Sequence, residues 1–206
     1  MSPRIALIDY NAGNLTSVRK ALGAVGATFY TPESASELAE AAGIIVPGVG
    51  HFAATAALDA PWIAAIRSHV ERSQPLLGIC VGLQWLYEGS EESPDLRGLG
   101  LLQGTCGKLR GGSVDGQVLK VPHVGWNSLE RTTDAPILDG VADAAQVYFT
   151  HSYAAPVTTD TAATTKHGQR FTSVVQRGHI AGVQFHPEKS GDAGLRILRN
   201  FVRTVV

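Results

Sequence analysis

Cys80 stands at a position in this sequence that suits a nucleophile. It follows the apolar run Leu76–Ile79, and Gly78 and Gly82 flank it two residues away on either side. A strand that turns sharply into a helix needs residues without a Cβ beside the turn, and such an elbow lifts one side chain above the edge of the sheet. The first amides of the following helix then point at a bound ligand and favour negative charge there. The sequence therefore predicts a nucleophilic cysteine on an elbow.

His186 and Glu188 are candidates for the base that this nucleophile needs. A cysteine nucleophile requires a general base within hydrogen-bond reach, and the base requires a third group that holds its tautomer. The apolar segment 180–185 predicts a strand leading to His186, and residues i and i+2 of a strand point to the same side. Pro187 between them ends the ladder and stiffens the backbone. We predict a triad of Cys80, His186 and Glu188 at the carboxyl edge of a parallel sheet, where open α/β folds place their sites.

Backbone amides near the elbow are candidates to stabilise the negative charge that develops on a carbonyl oxygen under attack. Val81 begins the helix after the elbow, and its N–H is one candidate donor. The turn Gly48-Val49-Gly50 follows a neighbouring strand, and its glycines let the backbone approach a ligand closely. We expect the second donor to be Val49 or Gly50.

The segments around these residues indicate an α/β protein. Strands alternate with helices from residue 4 onward, as in parallel βαβ units whose sheet is covered on both faces. In this first part the sequence predicts strands at 4–9, 27–30, 43–46 and 76–79 and helices at 15–25, 34–41 and 61–72. After Glu88 it predicts strands at 104–109, 118–121, 146–151, 161–165, 171–176 and 180–185, turns at 111–112, 115–116 and 139–140, and a last helix at 192–205. We expect one domain over residues 1–206, of class α/β, with a mixed, mostly parallel central sheet covered by helices.

Composition limits the class of protein. A chain of 206 residues buries a sizeable core without metal or disulfide staples. Cys80 and Cys106 make no disulfide framework, and residues 1–4 lead into a strand without an apolar leader, so we expect a reducing, cytoplasmic compartment and interpret Cys106 as structural. The formal net charge of −1 argues against nucleic acid or an anionic membrane as partner. The spacing of the histidines and the lack of a nucleotide-binding loop predict neither metal nor cofactor.

The elbow and the His-Pro-Glu segment together resemble class I (triad-type) glutamine amidotransferases, in which Gly-x-Cys-x-Gly-x-Gln and His-Pro-Glu carry a Cys-His-Glu triad. The resemblance covers nearly the whole chain. It implies a flavodoxin-like fold and hydrolysis of glutamine to glutamate, in which Cys80 attacks the side-chain amide and forms a γ-glutamyl thioester. It also implies that the bound glutamine is held by Gln84, Ser152 and Tyr153 together with the Gly50 backbone. We add His151 as a candidate, because it adjoins Ser152 and Tyr153.

Four further segments narrow the resemblance within that family. Residues 9–18, 47–52, 121–127 and 148–153 resemble the glutaminase subunits of imidazole glycerol phosphate synthases, which act in histidine biosynthesis. The sequence contains the motifs of a glutaminase but no motif for binding an ammonia acceptor. The resemblance implies a (β/α)8 cyclase subunit as heterodimer partner. Trp126 and Lys189 are our candidates for the docking face. A flip of the Gly-Val-Gly peptide would be one physical way to keep the glutaminase off until ammonia can be used.

Other functions are compatible with the same motifs. The glutaminase of an anthranilate or aminodeoxychorismate synthase is one, although the segment His123 to Asn127 disfavours it. A stand-alone cysteine γ-glutamyl hydrolase is another, and it would cleave without a partner. A non-catalytic module that kept the elbow is the third, and the intact triad residues argue against it. Glutamine turnover measured with and without the partner distinguishes these alternatives.

Overall fold

The computed structural model of the chain describes residues 4–114 and 117–205. The strands are β1 (Ile5–Leu7), β2 (Phe29–Tyr30), β3 (Gly43–Val46), β4 (Leu76–Ile79), β5 (Gly89–Ser90), β6 (Thr105–Lys108), β7 (Gly112–Val114), β8 (Gln117–Leu119), β9 (His123–Ser128), β10 (Glu130–Arg131), β11 (Gln146–His151), β12 (Tyr153–Ala154), β13 (Thr161–His167), β14 (Gln169–Arg177) and β15 (Ile180–Val183). The α-helices are α1 (Leu15–Ala24), α2 (Ala60–Glu71), α3 (Val81–Leu86) and α4 (Gly191–Val202). Short 3₁₀ segments span Ala35–Glu40, Phe52–Ala57, Pro136–Leu138 and Pro187–Lys189.

A mixed eight-stranded sheet in the order β10-β13-β14-β15-β4-β3-β1-β2 organises the fold. The five strands from β15 to β2 are parallel, and β14, β13 and β10 continue the sheet with antiparallel pairing. In the register of β4 with β15, Ile79 lies opposite Val183. The carboxyl ends of β3, β4 and β15 therefore meet at one edge of the sheet. The predicted fold class is confirmed, and this edge is where the chemistry-bearing segments emerge.

Both faces of the parallel strands are buried, because helices cover each of them. Every residue of β3 and of β4 is buried, which explains their uninterrupted apolar sequences. One apolar cluster joins alternate strand residues to α1 and α4, with Ile45, Leu77, Leu22, Ile197 and Phe201 among its members. The other joins the intervening strand residues to α2 and α3, with Ile44, Leu76, Ile66, Leu83 and Trp85 among its members. The core thus has one layer on each side of the sheet.

Several predicted boundaries agree with the structure. The Asn14 side chain caps α1 by accepting a hydrogen bond from the Ser17 N–H at 3.4 Å, and Gly26 follows the helix with a φ of 75°. The strands predicted at 43–46, 76–79 and 146–151 have the observed bounds. The segment predicted as a helix at 34–41 is a 3₁₀ turn, and the strand predicted at 118–121 is observed at Gln117–Leu119. The turn predicted at Asp115-Gly116 lies outside the described residues.

Near the site, sequence reasoning missed strand β9 and predicted too long a strand at 180–185. Strand β9 was not predicted, because its sequence contains Gly125 and Asn127, which are poor strand formers, and it is stabilised by pairing with β11. The strand predicted at 180–185 ends at Val183, and the chain leaves the sheet after one further backbone hydrogen bond to β14, from the Gln184 N–H to the Ser173 carbonyl at 2.9 Å. No helix in the described ranges is both long and apolar enough to cross a membrane.

Candidate active site

Cys80 lies at a strained elbow between β4 and α3. Its backbone has φ 55° and ψ −110°, a conformation that residues with a Cβ rarely adopt, and its side chain is buried. The Cys80 N–H donates to the Val183 carbonyl at 2.8 Å, which ties the elbow to β15. A Cβ on Gly82 would lie 1.9 Å from the Val46 carbonyl oxygen, and one on Gly78 would lie 2.7 Å from the Leu83 backbone. Both glycines are therefore required by close backbone contacts, as predicted.

His186 and Glu188 form a buried pair beside the elbow. His186 Nδ1 lies 2.9 Å from Glu188 Oε1, and the two side chains are 1% and 2% exposed. The prediction that they meet is confirmed, but the reason was wrong. Since β15 ends at Val183, the side chains are brought together by the 3₁₀ turn Pro187–Lys189 rather than by strand alternation. His186 is held by its own N–H, which donates to the Tyr148 carbonyl at 2.9 Å.

The environment of His186 favours its protonated form. Burial lowers the pKa of His186, but Cys80 and Glu188 outweigh burial and raise the pKa from 6.5 to about 10. Nε2, the ring nitrogen that does not face Glu188, has no hydrogen-bond partner among the described residues. This nitrogen is thus available for a proton exchanged with Cys80 or with a substrate.

The three predicted oxyanion donors differ in their present hydrogen bonds. Val81 is the first residue of α3, so its N–H has no partner within the helix. Val49 instead donates its N–H to the Ala12 carbonyl at 2.9 Å and does not offer it to the site in this conformation. Gly50 has a φ of 89°, which suits glycine, and it lines the same pocket as Cys80. The turn would have to rotate before Val49 could serve as a donor.

A pocket at the elbow brings together the residues that the sequence predicted to hold a ligand. Its lining comprises Gly50, Cys80, Val81, Gln84, Glu92, Thr150, His151, Ser152 and Tyr153. The Gln84 Nε2 group donates to the Tyr153 carbonyl at 2.8 Å and to Gln184 Oε1 at 3.2 Å. A wider hollow around Glu130 and Asp143 contains none of these residues. The small pocket at Cys80 is therefore the candidate active site.

Sequence reasoning missed two residues of this site. Glu92 accepts a hydrogen bond from the Phe52 N–H at 2.7 Å, which places its carboxylate beside the turn Gly48-Val49-Gly50, called the oxyanion turn below. Gln184 is fully buried, and its Nε2 lies 3.7 Å from Cys80 Sγ. A glutamine inside the apolar segment 180–185 was a signal that could have been used. Glu92 has no comparable local signal, because its contact with Phe52 is made only by the fold.

The chain matches a known protein family along almost its whole length. A sequence model of the family described as "Glutamine amidotransferase class-I" matches residues 6–205. The chain belongs to the class I glutamine amidotransferase family. It is 42% identical to an imidazole glycerol phosphate synthase subunit HisH of Deinococcus radiodurans, with 98% of this chain and 94% of that protein covered. It is 45% identical to the HisH subunit of Geobacillus kaustophilus, with 96% and 95% covered.

Solved structures agree with the family at the level of fold. A crystal structure described as a glutamine amidotransferase matches this family member with a TM-score of 0.74, covers 98% of both chains and is 19% identical. The structure of PurLQS from Thermotoga maritima matches with the same TM-score and identity, and covers 98% of this chain and 99% of that one. The α/β architecture of the amidotransferase is therefore shared by relatives of low sequence identity.

The two residues predicted at a docking face lie on one surface of this amidotransferase. Trp126 is 56% exposed, and its ring packs edge-on against Tyr148 with centroids 6.0 Å apart. The Lys189 ammonium lies over the same tyrosine ring, 5.8 Å from its centroid. Val124, two residues from Trp126 on β9, is 57% exposed. We call Val124, Trp126, Tyr148 and Lys189 the Trp126 patch.

The pH dependence of stability tests the His186–Glu188 pair. Because the pKa of His186 is raised in the folded chain, its proton stabilises the fold below about pH 6.5, and this contribution is lost as the pH rises through about 10. A Glu188→Gln variant lacks one of the charges that raise this pKa. We expect the difference in unfolding free energy between the wild type and this variant to shrink steadily across that range. Urea denaturation at several pH values measures it, and a difference that stays constant with pH contradicts the assignment.

Proposed function

We propose that this chain is the glutaminase subunit of an imidazole glycerol phosphate synthase, acting in histidine biosynthesis. In this proposal it hydrolyses glutamine to glutamate and passes the ammonia to a (β/α)8 cyclase subunit. The observation that carries the proposal is the strained Cys80 elbow beside the buried His186–Glu188 pair, in a chain about 42% identical to HisH subunits over nearly its full length. The site geometry supports the chemistry, and the similarity to HisH subunits supports the partner. The proposal needs both.

The triad can carry out both halves of a glutamine hydrolysis. The Cys80 thiolate attacks the carboxamide carbon of glutamine, and the carbonyl oxygen becomes an oxyanion. The protonated His186 gives its proton to the nitrogen, the C–N bond breaks, and ammonia leaves behind a γ-glutamyl thioester. A water molecule then attacks the thioester carbon while His186 accepts its proton, and glutamate departs as the C–S bond breaks. Glu188 holds Nδ1–H of His186 throughout, so Nε2 is the nitrogen that exchanges the proton.

The conformation of the oxyanion turn explains why the isolated chain would hydrolyse glutamine slowly. The Val81 N–H is in place at the start of α3, whereas the Val49 N–H is bonded to Ala12. A second oxyanion donor contributes about 3 kcal/mol of transition-state stabilisation. In our proposal the turn rotates when the partner and its ligand are bound, and Val49 or Gly50 then completes the oxyanion hole. The chain would hydrolyse glutamine slowly until that happens.

Glu92 is our candidate for the group that binds the α-ammonium of glutamine. Its carboxylate lines the pocket, and a buried cation needs an opposite charge within hydrogen-bond distance. A Glu92→Gln variant keeps an oxygen for the Phe52 N–H but loses the charge. We expect KM for glutamine to rise by about tenfold or more, with a smaller change in kcat, as measured by steady-state glutaminase assays of the assembled complex.

Glu91→Gln is the matched control for that experiment. Glu91 is exposed, does not line the pocket, and likewise accepts a hydrogen bond from a backbone N–H, that of Lys108 at 2.9 Å. Its KM should stay within about twofold of the wild type. An unchanged KM in Glu92→Gln, or an equal rise in both variants, would contradict the role of Glu92.

The Trp126 patch is our candidate docking surface for the cyclase. An exposed tryptophan beside a valine and a tyrosine is typical of the centre of a protein interface. We expect Trp126→Ala to weaken the complex by about 2 kcal/mol, roughly thirtyfold in Kd, as measured by calorimetric titration with the cyclase. Val118→Ala, which removes an exposed apolar side chain outside the patch, is the control and should leave Kd unchanged. Equal affinity of wild type and Trp126→Ala would place the interface elsewhere.

The experiment that tests the proposed function measures glutamine turnover under three conditions. These are the chain alone, the chain with the cyclase, and the chain with both the cyclase and the cyclase substrate, a phosphoribosyl-formimino carboxamide ribotide (the ribotide). We expect weak turnover alone and a strong rise with partner and ribotide. Full activity of the isolated chain would instead favour a stand-alone γ-glutamyl hydrolase.

A further inference from the structure

Two buried histidines beside the pocket serve as neither acid nor base in the proposed mechanism. The sequence predicted that one of them, His151, helps to hold glutamine, but both of its ring nitrogens have partners within the protein. His123 on β9 lies directly opposite His151 on β11, and the two residues are 4% and 7% exposed. His123 Nδ1 lies 3.1 Å from His151 Nε2. His151 Nδ1 lies 2.9 Å from the Tyr153 carbonyl oxygen. The two rings are thus joined to each other and to a residue of the pocket.

The direction of every hydrogen bond in this chain of groups is determined by its two ends. At one end the Tyr153 carbonyl can only accept, so His151 must carry its proton on Nδ1 and accept at Nε2. His123 must then donate from Nδ1, which leaves its Nε2 as an acceptor. At the other end Asn127 supplies the donor, since its Nδ2 lies 3.3 Å from His123 Nε2. The Asn127 amide is oriented by the Ser128 N–H, which donates to Oδ1 at 2.8 Å.

Both histidines must be neutral for this arrangement, and their surroundings keep them so. Burial lowers the pKa of His123 to about 3, and it lowers the pKa of His151 to about 4. His151 itself lowers the pKa of His123 further. Outside the pair, His167 acts on both histidines, with its ring centroid 4.0 Å from that of His123, and His186 acts on His151. Each of these neighbours opposes a positive charge. A proton on either acceptor nitrogen would break the chain of hydrogen bonds.

The same network continues to the nucleophile. The Tyr153 carbonyl also accepts from Gln84 Nε2 at 2.8 Å. That amide group donates in addition to Gln184 Oε1, and Gln184 Nε2 lies 3.7 Å from Cys80 Sγ. Because Gln84 commits its Nε2 hydrogens to these acceptors, its Oε1 is the atom that it can offer to a ligand. A displaced Tyr153 carbonyl would therefore release the Gln84 amide from its present orientation.

We propose that His123 is a positioning residue for the glutamine pocket, acting through the donor on its Nδ1 to hold His151, the Tyr153 carbonyl and the Gln84 amide in one arrangement. The activity part of this inference rests on the proposed glutaminase function. The hydrogen-bond arrangement itself does not. His123 contacts no reacting atom in this account.

Two substitutions of His123 distinguish the contribution of its Nδ1 donor from that of its ring. His123→Phe keeps a planar ring that can stack on Phe149 and His167, but it has no nitrogen. His123→Asn places an amide N–H near the position of Nδ1. In the assembled complex we expect kcat/KM for glutamine to fall by about tenfold in His123→Phe, chiefly through KM, and to recover in His123→Asn. Ammonium-dependent synthesis by the cyclase should be the same in both variants and in the wild type.

Imidazole ¹⁵N spectra of the full-length chain test the network without reference to activity. We expect both His123 and His151 to carry the proton on Nδ1 at neutral pH in the wild type. In His123→Phe, we expect the pKa of His151 to rise because its Nε2 is no longer occupied. A proton on Nε2 of His151 in the wild type would overturn the proposal, whether or not the chain proves to be a glutaminase.

The kinetic measurements can also contradict the positioning role of His123. Wild-type kcat/KM in His123→Phe, or equal losses in His123→Phe and His123→Asn, would show that the Nδ1 donor does not position the pocket. If His123→Phe fails to fold, the tautomers of the wild type and the activity of His123→Asn still decide the question. If the wild-type complex has no glutaminase activity but the tautomers are as expected, the proposed function fails and the network stands.

Discussion

A Cys80→Ala variant is expected to lose glutamine-dependent synthesis by roughly 10⁴-fold or more while the complex still uses added ammonium salts at the wild-type rate. The reason is that Cys80 forms the only covalent bond to glutamine in the proposed mechanism, whereas the cyclase site is untouched. The measurement is the rate of synthesis by the complex with glutamine and, separately, with ammonium as nitrogen donor. Loss of both activities together would show that Cys80 has a structural role.

Cys106→Ala is the matched control for this variant. Cys106 is also fully buried, and burial raises the pKa of its thiol, so it should stay protonated and unreactive. Its substitution should lower stability through the small cavity that it leaves, by about 1 kcal/mol, and leave glutamine-dependent synthesis intact. A comparable loss of glutaminase activity in Cys106→Ala would contradict the assignment of the nucleophile.

Gly82→Ala is expected to be the most destabilising single methyl addition at the elbow. The new Cβ would lie 1.9 Å from the Val46 carbonyl oxygen, and neither backbone can move without disturbing the contact of β3 with α3. We expect a loss of about 3 kcal/mol or more in unfolding free energy, together with loss of glutaminase activity. Thermal unfolding and urea denaturation measure the first effect, and the glutaminase assay measures the second.

Gly23→Ala in α1 is the control, because no described residue outside its own stretch of helix comes within 4 Å of the added Cβ, and Gly23 is exposed. It should stabilise the chain by about 0.5–1 kcal/mol through higher helix propensity. Gly82→Ala with wild-type stability would show that the elbow is looser than the close contacts indicate.

The parts of the site that sequence could predict are those determined by local geometry. The elbow follows from glycines on either side of Cys80, and the His186–Glu188 pair follows from two residues separated by one proline. The first was confirmed in detail. The second was confirmed in its contact but not in its cause, since β15 ends before the pair and a 3₁₀ turn brings the side chains together.

The parts that sequence could not predict are those that depend on distant contacts. Strand β9 exists because β11 pairs with it, although Gly125 and Asn127 within it are poor strand formers. Glu92 enters the site through a hydrogen bond from Phe52, and nothing near either residue signals that contact. Val49 or Gly50 was expected to be the second oxyanion donor, but whether the Val49 N–H faces the site depends on the Ala12 carbonyl, which lies on a different loop. Sequence motifs identify the candidate donors and acceptors of a site. Which of these groups already have a hydrogen-bond partner within the protein depends on the fold.

In the proposed function, ammonia made at Cys80 is delivered to the cyclase and is not released into solution. The most direct test of this delivery supplies the complex of this chain and the cyclase with glutamine labelled with ¹⁵N in the side-chain amide, together with the ribotide and unlabelled ammonium in solution. We predict that the imidazole product carries the ¹⁵N label at close to the isotopic fraction of the glutamine. Product with the isotopic fraction of the ammonium in solution would contradict it.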